Sequence, residues 1–310
     1  MKVYHSIEQI PAFKNAVITI GTFDGVHQGH CSIIRQLVAT ASTVQGESVL
    51  ITFHPHPRQV VAGKALPLLN SIDEKMELLE TEGVDNLVII PFTAAFSQMD
   101  AHEYIEEFLI EKFHPHTIII GYDHRFGKNR SGDFSLLEAY AAKGSFQLIE
   151  IPAHVIAENT VSSTQIRKAL EEGNIEKANQ LLGYRYCFEG IVVKGNQLGR
   201  KLGFPTANIS LICQDKMVPG NGVYAVLVTN LKNPYQVYQG MMNIGIRPTI
   251  DGTQRVIEVN LFGFQDDIYG EQLHVEVCAY LRAEQKFAGL PALVEQLGKD
   301  KIHALAVLNP

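Results

Sequence analysis

Two imidazoles three residues apart, His27 and His30, close the glycine-rich run Gly21-Thr22-Phe23-Asp24-Gly25-Val26-His27-Gln28-Gly29-His30. The run lies between Ala16-Val17-Ile18-Thr19-Ile20, a string that reads as a strand, and a stretch of helical periodicity over residues 32–41. Glycines at the carboxyl end of a parallel strand let the backbone approach a phosphate, and the helix that follows aims free N–H groups and a positive dipole end at it. Side chains at i and i+3 share one face of the first turn. From there both imidazoles can donate to phosphoryl oxygens as charge builds in a transition state, which is the chemistry of nucleotidyl transfer. Two turn histidines that only cap a helix would look the same.

A second candidate is Val161-Ser162-Ser163-Thr164-Gln165-Ile166-Arg167. Its hydroxyls suit a helix N-cap, and an arginine one turn in could hold the β- and γ-phosphates and support a leaving pyrophosphate. Taken alone, capping accounts for it. His54 and His56, in Thr52-Phe53-His54-Pro55-His56-Pro57, have a spacing that metal ligands also use. No H-E-x-x-H or carboxylate-bearing signature accompanies them, as a zinc hydrolase would require. His102, His114, His116 and His154 read as surface or helix-end histidines.

A third candidate runs from residue 195 to 208: Gly195-Asn196-Gln197-Leu198-Gly199-Arg200-Lys201-Leu202-Gly203-Phe204-Pro205-Thr206-Ala207-Asn208. Its glycines and cations suggest a cradle for nucleotide phosphates. Thr206 and Asn208, two apart on an extended segment, face one side and offer hard oxygen ligands suited to Mg²⁺. A turn-rich hairpin would use the same glycines.

The elements that must position these residues divide the chain. Strands over 16–20, 48–53, 86–90, 117–121 and 147–151 alternate with helices over 32–41, 73–82, 101–113 and 135–143. Continuous β-branched runs between helices mark a parallel sheet covered on both faces, so the first half is predicted to be a doubly wound, Rossmann-like α/β domain. After a helix from about residue 164 and another over 175–182, the texture changes near residue 184. Strands over 187–193, 222–229, 235–243, 256–262 and 273–281, broken by turns such as Pro219-Gly220-Asn221-Gly222 and Asp251-Gly252, predict a small antiparallel barrel or sandwich. Apolar residues at helical spacing over 284–308 predict a terminal helix packed on it. The expected domains are therefore 1–183 and 184–310.

Composition sets outer bounds. A chain of 310 residues with 46% apolar and 19% charged content is of ordinary globular type. A net charge of -7 argues against coating nucleic acid, whose affinity rests on phosphate neutralisation. No apolar run approaches a bilayer span, and the start lacks a signal-peptide pattern. Cys31, Cys187, Cys213 and Cys278 are scattered without a C-x-x-C pair, which fits a reducing cytoplasm.

The segment 21–30 with Ser162-Ser163-Thr164-x-x-Arg167 resembles the H-x-G-H nucleotidylyltransferase superfamily, and specifically the FAD synthetase module of the bacterial bifunctional riboflavin kinase/FAD synthetase family. The segments 52–57 and 121–133, the latter Gly121-Tyr122-Asp123-His124-Arg125-Phe126-Gly127-Lys128-Asn129-Arg130-Ser131-Gly132-Asp133, resemble that family's flavin-proximal and adenine-side loops. Tyr122 and His124 depart from its usual acidic and aromatic residues there. Gly-Phe-Pro-Thr-Ala-Asn at 203–208 is similar to the riboflavin kinase signature, and 222–226, 243–249 and 281–287 match in the family's order.

The resemblance implies FMN adenylyltransferase chemistry in 1–183 and riboflavin kinase chemistry in 184–310, with ATP as co-substrate, riboflavin, FMN and FAD as substrate and products, and Mg²⁺. In the first domain it implies His27, His30 and Arg167 as catalytic groups. Gly21, Phe23, Asp24 and Gly29 would then bind ligand with Phe53 and His56, as would Asp123, Arg125 and Phe126 with Ser162, Ser163 and Thr164. In the second it implies Glu258 as the base that takes the proton of the riboflavin 5'-hydroxyl, with Gly199, Lys201, Gly203, Pro205 and Arg247 as binding residues and Thr206 and Asn208 at Mg²⁺-ATP. Phe53, Phe126 and Tyr122 are the aromatic candidates for stacking on the isoalloxazine. After Glu258, Asn260 and Gly263 stand where the family usually has a histidine and a polar residue. That departure leaves open a chain with adenylyl transfer alone and an inactive, flavin-binding barrel. A non-catalytic flavin or nucleotide sensor is the rival outside enzymes. The expected partners are small molecules, with neither nucleic acid nor membrane among them.

Overall fold

The computed structural model describes residues 1–63, 65–152, 161–195, 198–249 and 252–309. The chain forms two compact units, Met1–Ser163 and Thr164–Pro310.

In the first unit, six strands, β1 (Lys2–Tyr4), β2 (Val17–Ile20), β3 (Ser48–His54), β4 (Asn86–Pro91), β5 (Thr117–Gly121) and β6 (Gln147–Ile151), form one sheet in the order β1-β4-β3-β2-β5-β6. Every pairing is parallel. The four inner strands, β2 to β5, are buried on both faces, which is why they read as continuous apolar runs. Successive side chains alternate between two cores. Ile18, Ile20, Val49, Ile51 and Val88 pack with Tyr104, Ile105, Phe108 and Leu137 on one face. Val17, Leu50, Leu87 and Ile119 pack with Ile34, Leu37 and Leu79 on the other. The helices that supply these residues are α1 (Gln28–Thr43), α3 (Ile72–Thr81), α4 (residues 101–113) and α5 (Phe134–Ala141), with the short α2 (Pro57–Ala62) after β3. From β2 the chain runs outward through β3 and β4, then returns to place β5 on the other side. That reversal opens a crevice at the carboxyl ends of β2 and β5, the usual ligand position in such sheets.

Two differences from the sequence reading have simple causes. α1 starts at Gln28 rather than near residue 32, because its first turn is polar and glycine-rich and shows no apolar period. β1, three residues long at the sheet edge, is too short to carry a periodic signal.

In the second unit, β7 (Cys187–Val193), β8 (Ala207–Leu211), β9 (Gly222–Asn230), β10 (Val237–Thr249), β11 (Gly252–Leu261) and β12 (Gln272–Arg282) close into an antiparallel barrel in the order β10-β11-β8-β7-β12-β9. Closure removes the exposed edges that an open sheet would leave. The β10/β11 ladder runs from Gly240↔Leu261 to Thr249↔Gly252, well beyond the strands expected from pattern. Asp251 of the expected Asp251-Gly252 turn lies outside the described residues, as does His154. β8 was not anticipated as a strand.

Two helices, α6 (Ser163–Glu171) and α7 (Ile175–Leu182), precede the barrel. Asn179 of α7 donates from Nδ2 to the Val277 carbonyl at 3.0 Å and accepts from the Tyr186 amide at 2.7 Å. The Gly220 amide donates to the Leu170 carbonyl at 2.8 Å. These bonds attach both helices to the barrel, so packing divides the chain at 163/164 whereas texture changes at 183/184. The last helix, here called α9 (Leu290–Leu308) because the short α8 (Leu198–Lys201) precedes it, covers the barrel through Leu297 and Leu308 against Met241 and Ala279. Among the described residues no helix is long and apolar enough to cross a membrane.

Candidate active sites

β2 hands its chain to a turn under strain. Phe23 and Val26 hold φ values of 45° and 36°, with Gly25 at 93° between them. Left-handed conformations cost a residue with a side chain about 1–3 kcal/mol each and persist only where the surroundings enforce them. Here the enforcement comes from distant elements. The Thr22 carbonyl accepts from Lys75 Nζ of α3 at 2.7 Å and from Thr52 Oγ1 of β3 at 3.2 Å. Asp24, 2% exposed, accepts through Oδ1 from the Leu69 amide at 2.9 Å. The Asp24 carbonyl accepts from Ser163 Oγ at 3.0 Å.

The turn ends on the two histidines. His27 caps α1, its Nδ1 accepting from the His30 amide at 3.3 Å. An accepting Nδ1 puts the proton of the neutral ring on Nε2. The two rings stack with centroids 3.6 Å apart, and Phe23 meets His30 edge-on at 5.2 Å. Burial pushes His27 down to about 4, against the pull of Asp24. His30 is held well below the usual imidazole range by burial, then by the charges of His27 and Lys75. Its Nδ1 is enclosed and is the one buried side-chain nitrogen or oxygen without a hydrogen-bond partner among the described residues. One nitrogen of His27 closes the helix, and its ring lies buried against that of His30 at the start of α1. Gly21, Phe23, Asp24 and Gly29 lie on this stretch and Ser163 bonds to it, and Phe23 serves as a buried packing ring, 3% exposed.

The flanking loops are organised differently. Phe53, half-buried at the end of β3, meets Phe92 and Phe96 at 5.5 and 5.7 Å. His56 caps α2, accepting from the Arg58 amide at 3.1 Å. Arg125 pairs with Asp133 at 2.5 Å, and Asp133 in turn caps α5 through the Leu136 amide at 3.2 Å. Phe126 stacks on Tyr104 with centroids 5.0 Å apart and is 5% exposed, so its ring belongs to the core, whereas Tyr122 is 49% exposed. Asp123, Ser162 and Thr164 are exposed. Arg167 lies on α6, in the second unit, half-buried. Among the described residues no group of three or more His, Cys, Asp or Glu could hold a metal ion.

The barrel contains a cavity of about 320 Å³, lined among others by Gly199, Phe204, Thr206, Arg247, Glu258 and Asn260, and by Arg282, Glu284 and Phe287 from the tail. The register explains the grouping: Glu258 of β11 lies opposite both Asn243 of β10 and Asn208 of β8. Arg247 donates through Nη2 to Glu258 Oε1 at 2.9 Å, so Glu258 faces a cavity cation rather than a surface lysine. The segment before Thr206 is folded tightly. The Phe204 amide donates to the Gly199 carbonyl at 2.9 Å, and a side chain at 199 would strike the Phe204 carbonyl oxygen. Gly203 turns at φ 81°. Asn260, 5% exposed, donates from Nδ2 to the Pro205 carbonyl at 2.6 Å. The side chain of Lys201 lies outside the described residues. Gly263 sits exposed in the turn after β11 at φ 72°.

Sequence reasoning missed Lys75, Thr52 and Asp300. Lys75 falls on the apolar face that Ile72, Met76 and Leu79 mark on α3, a signal the sequence carries, but what its ammonium bonds is decided by the fold. Asp300 of α9 receives a two-pronged contact from Arg282 at 2.8 and 2.7 Å, which sets the tail against the cavity.

Comparisons with known proteins fit this division. The family model of FAD synthetase matches residues 9–165 and that of riboflavin kinase residues 182–308. A bifunctional riboflavin kinase/FMN adenylyltransferase of Haemophilus influenzae is 37% identical over 297 residues, covering 96% of this chain and 95% of its own. Another of that description, from Listeria monocytogenes, is 36% identical over 290 residues, covering 93% and 90%. Among solved structures, one described as a macrolide-efflux protein from Streptococcus pneumoniae is 30% identical, with 97% of each chain covered and a TM-score of 0.85.

Proposed function

The chain belongs to the bifunctional riboflavin kinase/FMN adenylyltransferase family, and on that premise we propose which of its residues perform the two transfers. It is a kinase and a nucleotidyltransferase: ATP phosphorylates riboflavin to FMN, and a second ATP adenylylates FMN to FAD with release of pyrophosphate. The observation that supports the residue assignments is that each half holds its own cluster of polar side chains, a strained turn ending on two stacked histidines in one and a cavity with a carboxylate beside a cation in the other. We assign adenylyl transfer to 1–183 and phosphorylation to 184–310.

In adenylyl transfer an FMN phosphate oxygen attacks the α-phosphorus of ATP and pyrophosphate leaves. His27 and His30 hydrogen-bond the phosphoryl oxygens as charge builds. Approaching phosphate charge raises the proton affinity of both rings, so groups that are neutral at rest strengthen as donors where charge develops. Neither transfer requires a protein nucleophile; alignment and electrostatics suffice.

In the barrel, Glu258 takes the proton of the riboflavin 5'-hydroxyl, and Arg247 orients its carboxylate. Positioning carries most of phosphoryl transfer, so a held carboxylate in line with the γ-phosphate meets the need. Mg²⁺ fits the donors available: Thr206 and Asn208 present hard oxygens, and Thr206 lines the cavity. Thr206 and Asn208 would hold the ion, which when bound neutralises the β- and γ-phosphate oxygens. Free Cys31, Cys187, Cys213 and Cys278 support a cytoplasmic location.

The test is chromatographic. Purified protein with riboflavin, ATP and Mg²⁺ is expected to form FMN, then FAD. Glu258→Ala should stop FMN formation, and His30→Ala should let FMN accumulate. FAD formed only from supplied FMN would leave the barrel inactive as a kinase, and flavin binding without any product would make the protein a sensor.

A further inference from the structure

α3 carries a lysine where its amphipathic pattern calls for an apolar residue. Lys75 is 7% exposed, and its Nζ donates to the Thr22 carbonyl at 2.7 Å. An ammonium has three protons to give, and this is the one hydrogen bond of that group among the described residues. Burying a cation is costly unless a partner compensates it. Asp24 supplies part of that compensation, yet burial still brings Lys75 down to about 8. An apolar side chain of similar volume would pack α3 against the sheet without the penalty. What the ammonium holds is the carbonyl immediately before Phe23, where the left-handed turn begins.

We propose that Lys75 is a positioning residue for adenylyl transfer: its buried ammonium, bonded to the Thr22 carbonyl, keeps the turn of residues 21–30 in the shape that aligns His27 and His30 for phosphate. The proposal rests on the adenylyltransferase reading of that turn. Two further observations agree with it. The enclosed His30 Nδ1 has no hydrogen-bond partner among the described residues, so the ring's placement depends on its stacking with His27 and on the backbone that Lys75 secures. The ammonium also helps to keep His30 neutral, after burial and the charge of His27. The groups that act on one another here are Asp24 of the turn, His27 and His30 of α1 and its cap, and Lys75 of α3.

A lysine that gives up its proton near pH 8 makes the alkaline side diagnostic. As pH rises through that value, Lys75 becomes neutral and the turn loses its cation, so FAD formation from FMN should fall. An arginine at the same place keeps its charge throughout. The experiment measures FAD and pyrophosphate from FMN and ATP between about pH 6 and about pH 10 for the full chain, Lys75→Met and Lys75→Arg. Riboflavin phosphorylation in the same preparations reports the barrel's cavity, and thermal unfolding reports the first unit. Lys75→Met should lose about 10- to 100-fold in kcat for adenylylation with the KM for FMN little changed. Riboflavin phosphorylation should be unaffected. Lys75→Arg should keep activity and move the alkaline fall upward by a pH unit or more. A merely structural lysine would move stability without moving that limb. Lys75→Met working at the wild-type rate overturns the proposal. Should Lys75→Met fail to fold, an active Lys75→Arg whose alkaline limb coincides with wild type overturns it as well. Wild type that makes no FAD from FMN overturns the adenylyltransferase reading itself, and is distinguishable from either result.

Discussion

At the scale of single residues, the barrel depends on a side chain whose role the sequence disguised. Asn260 departs from the family pattern, yet its amide bonds the Pro205 carbonyl and lines the cavity beside Glu258. It therefore fastens the segment that delivers Thr206. Asn260→Ala should raise the KM for ATP in riboflavin phosphorylation by about tenfold, the weight of one buried hydrogen bond of about 1–2 kcal/mol. Adenylylation of supplied FMN, assayed in parallel, should not change. A KM equal to wild type would separate Asn260 from nucleotide binding. Phe126 shows the opposite case. It was a candidate to stack on flavin, but its ring is enclosed against Tyr104, and spacing alone cannot distinguish a ring that faces a ligand from one that faces the core.

At the scale of elements, the terminal helix is held on the barrel by an ion pair as well as by apolar packing. Asp300, 4% exposed in its side chain, takes both prongs of Arg282, which projects from the end of β12 and is 20% exposed. Removing one partner of a buried pair leaves the other charged without compensation. Asp300→Ala should cost the barrel unit about 3–5 kcal/mol, read as a shift of its denaturant midpoint. Arg282 and Asp300 both line the cavity, so riboflavin phosphorylation should fall with it. Asp300→Ala as stable as wild type would show that apolar packing by Leu297 and Leu308 holds the helix unaided.

At the scale of the whole molecule, the two units should respond to pH in opposite senses. In the first, His27 falls to about 4 when folded, chiefly by burial, against about 6.5 for a free imidazole. Below about pH 6.5 the unfolded chain binds a proton that the folded one refuses, so stability declines as pH drops toward 4, by up to about 3 kcal/mol. In the barrel, His274 is raised to about 10 by hydrogen bonds to Cys187 and then Glu189. Its contribution is full below about pH 6.5 and is lost as pH rises toward 10. Thermal unfolding followed by a probe local to each unit, rather than through its activity, should show the first unit failing first in acid and the barrel failing first in alkali; a common midpoint throughout would contradict this. Local spacing determined a great deal of the molecule. Apolar runs of two-sided strands, helical periods, the 21–30 turn and the 203–208 segment each signal themselves within a few residues, because periodicity and turn chemistry are short-range properties. Tertiary structure decided what no local window contains. Strand order brought Thr52, Leu69, Lys75 and Ser163 onto one strained turn, barrel closure set Arg247 against Glu258, and the bonds of Asn179 gave α7 to the barrel. These partners lie far apart along the chain, and their meeting depends on how the sheet and barrel are wound, which single-residue spacing does not encode.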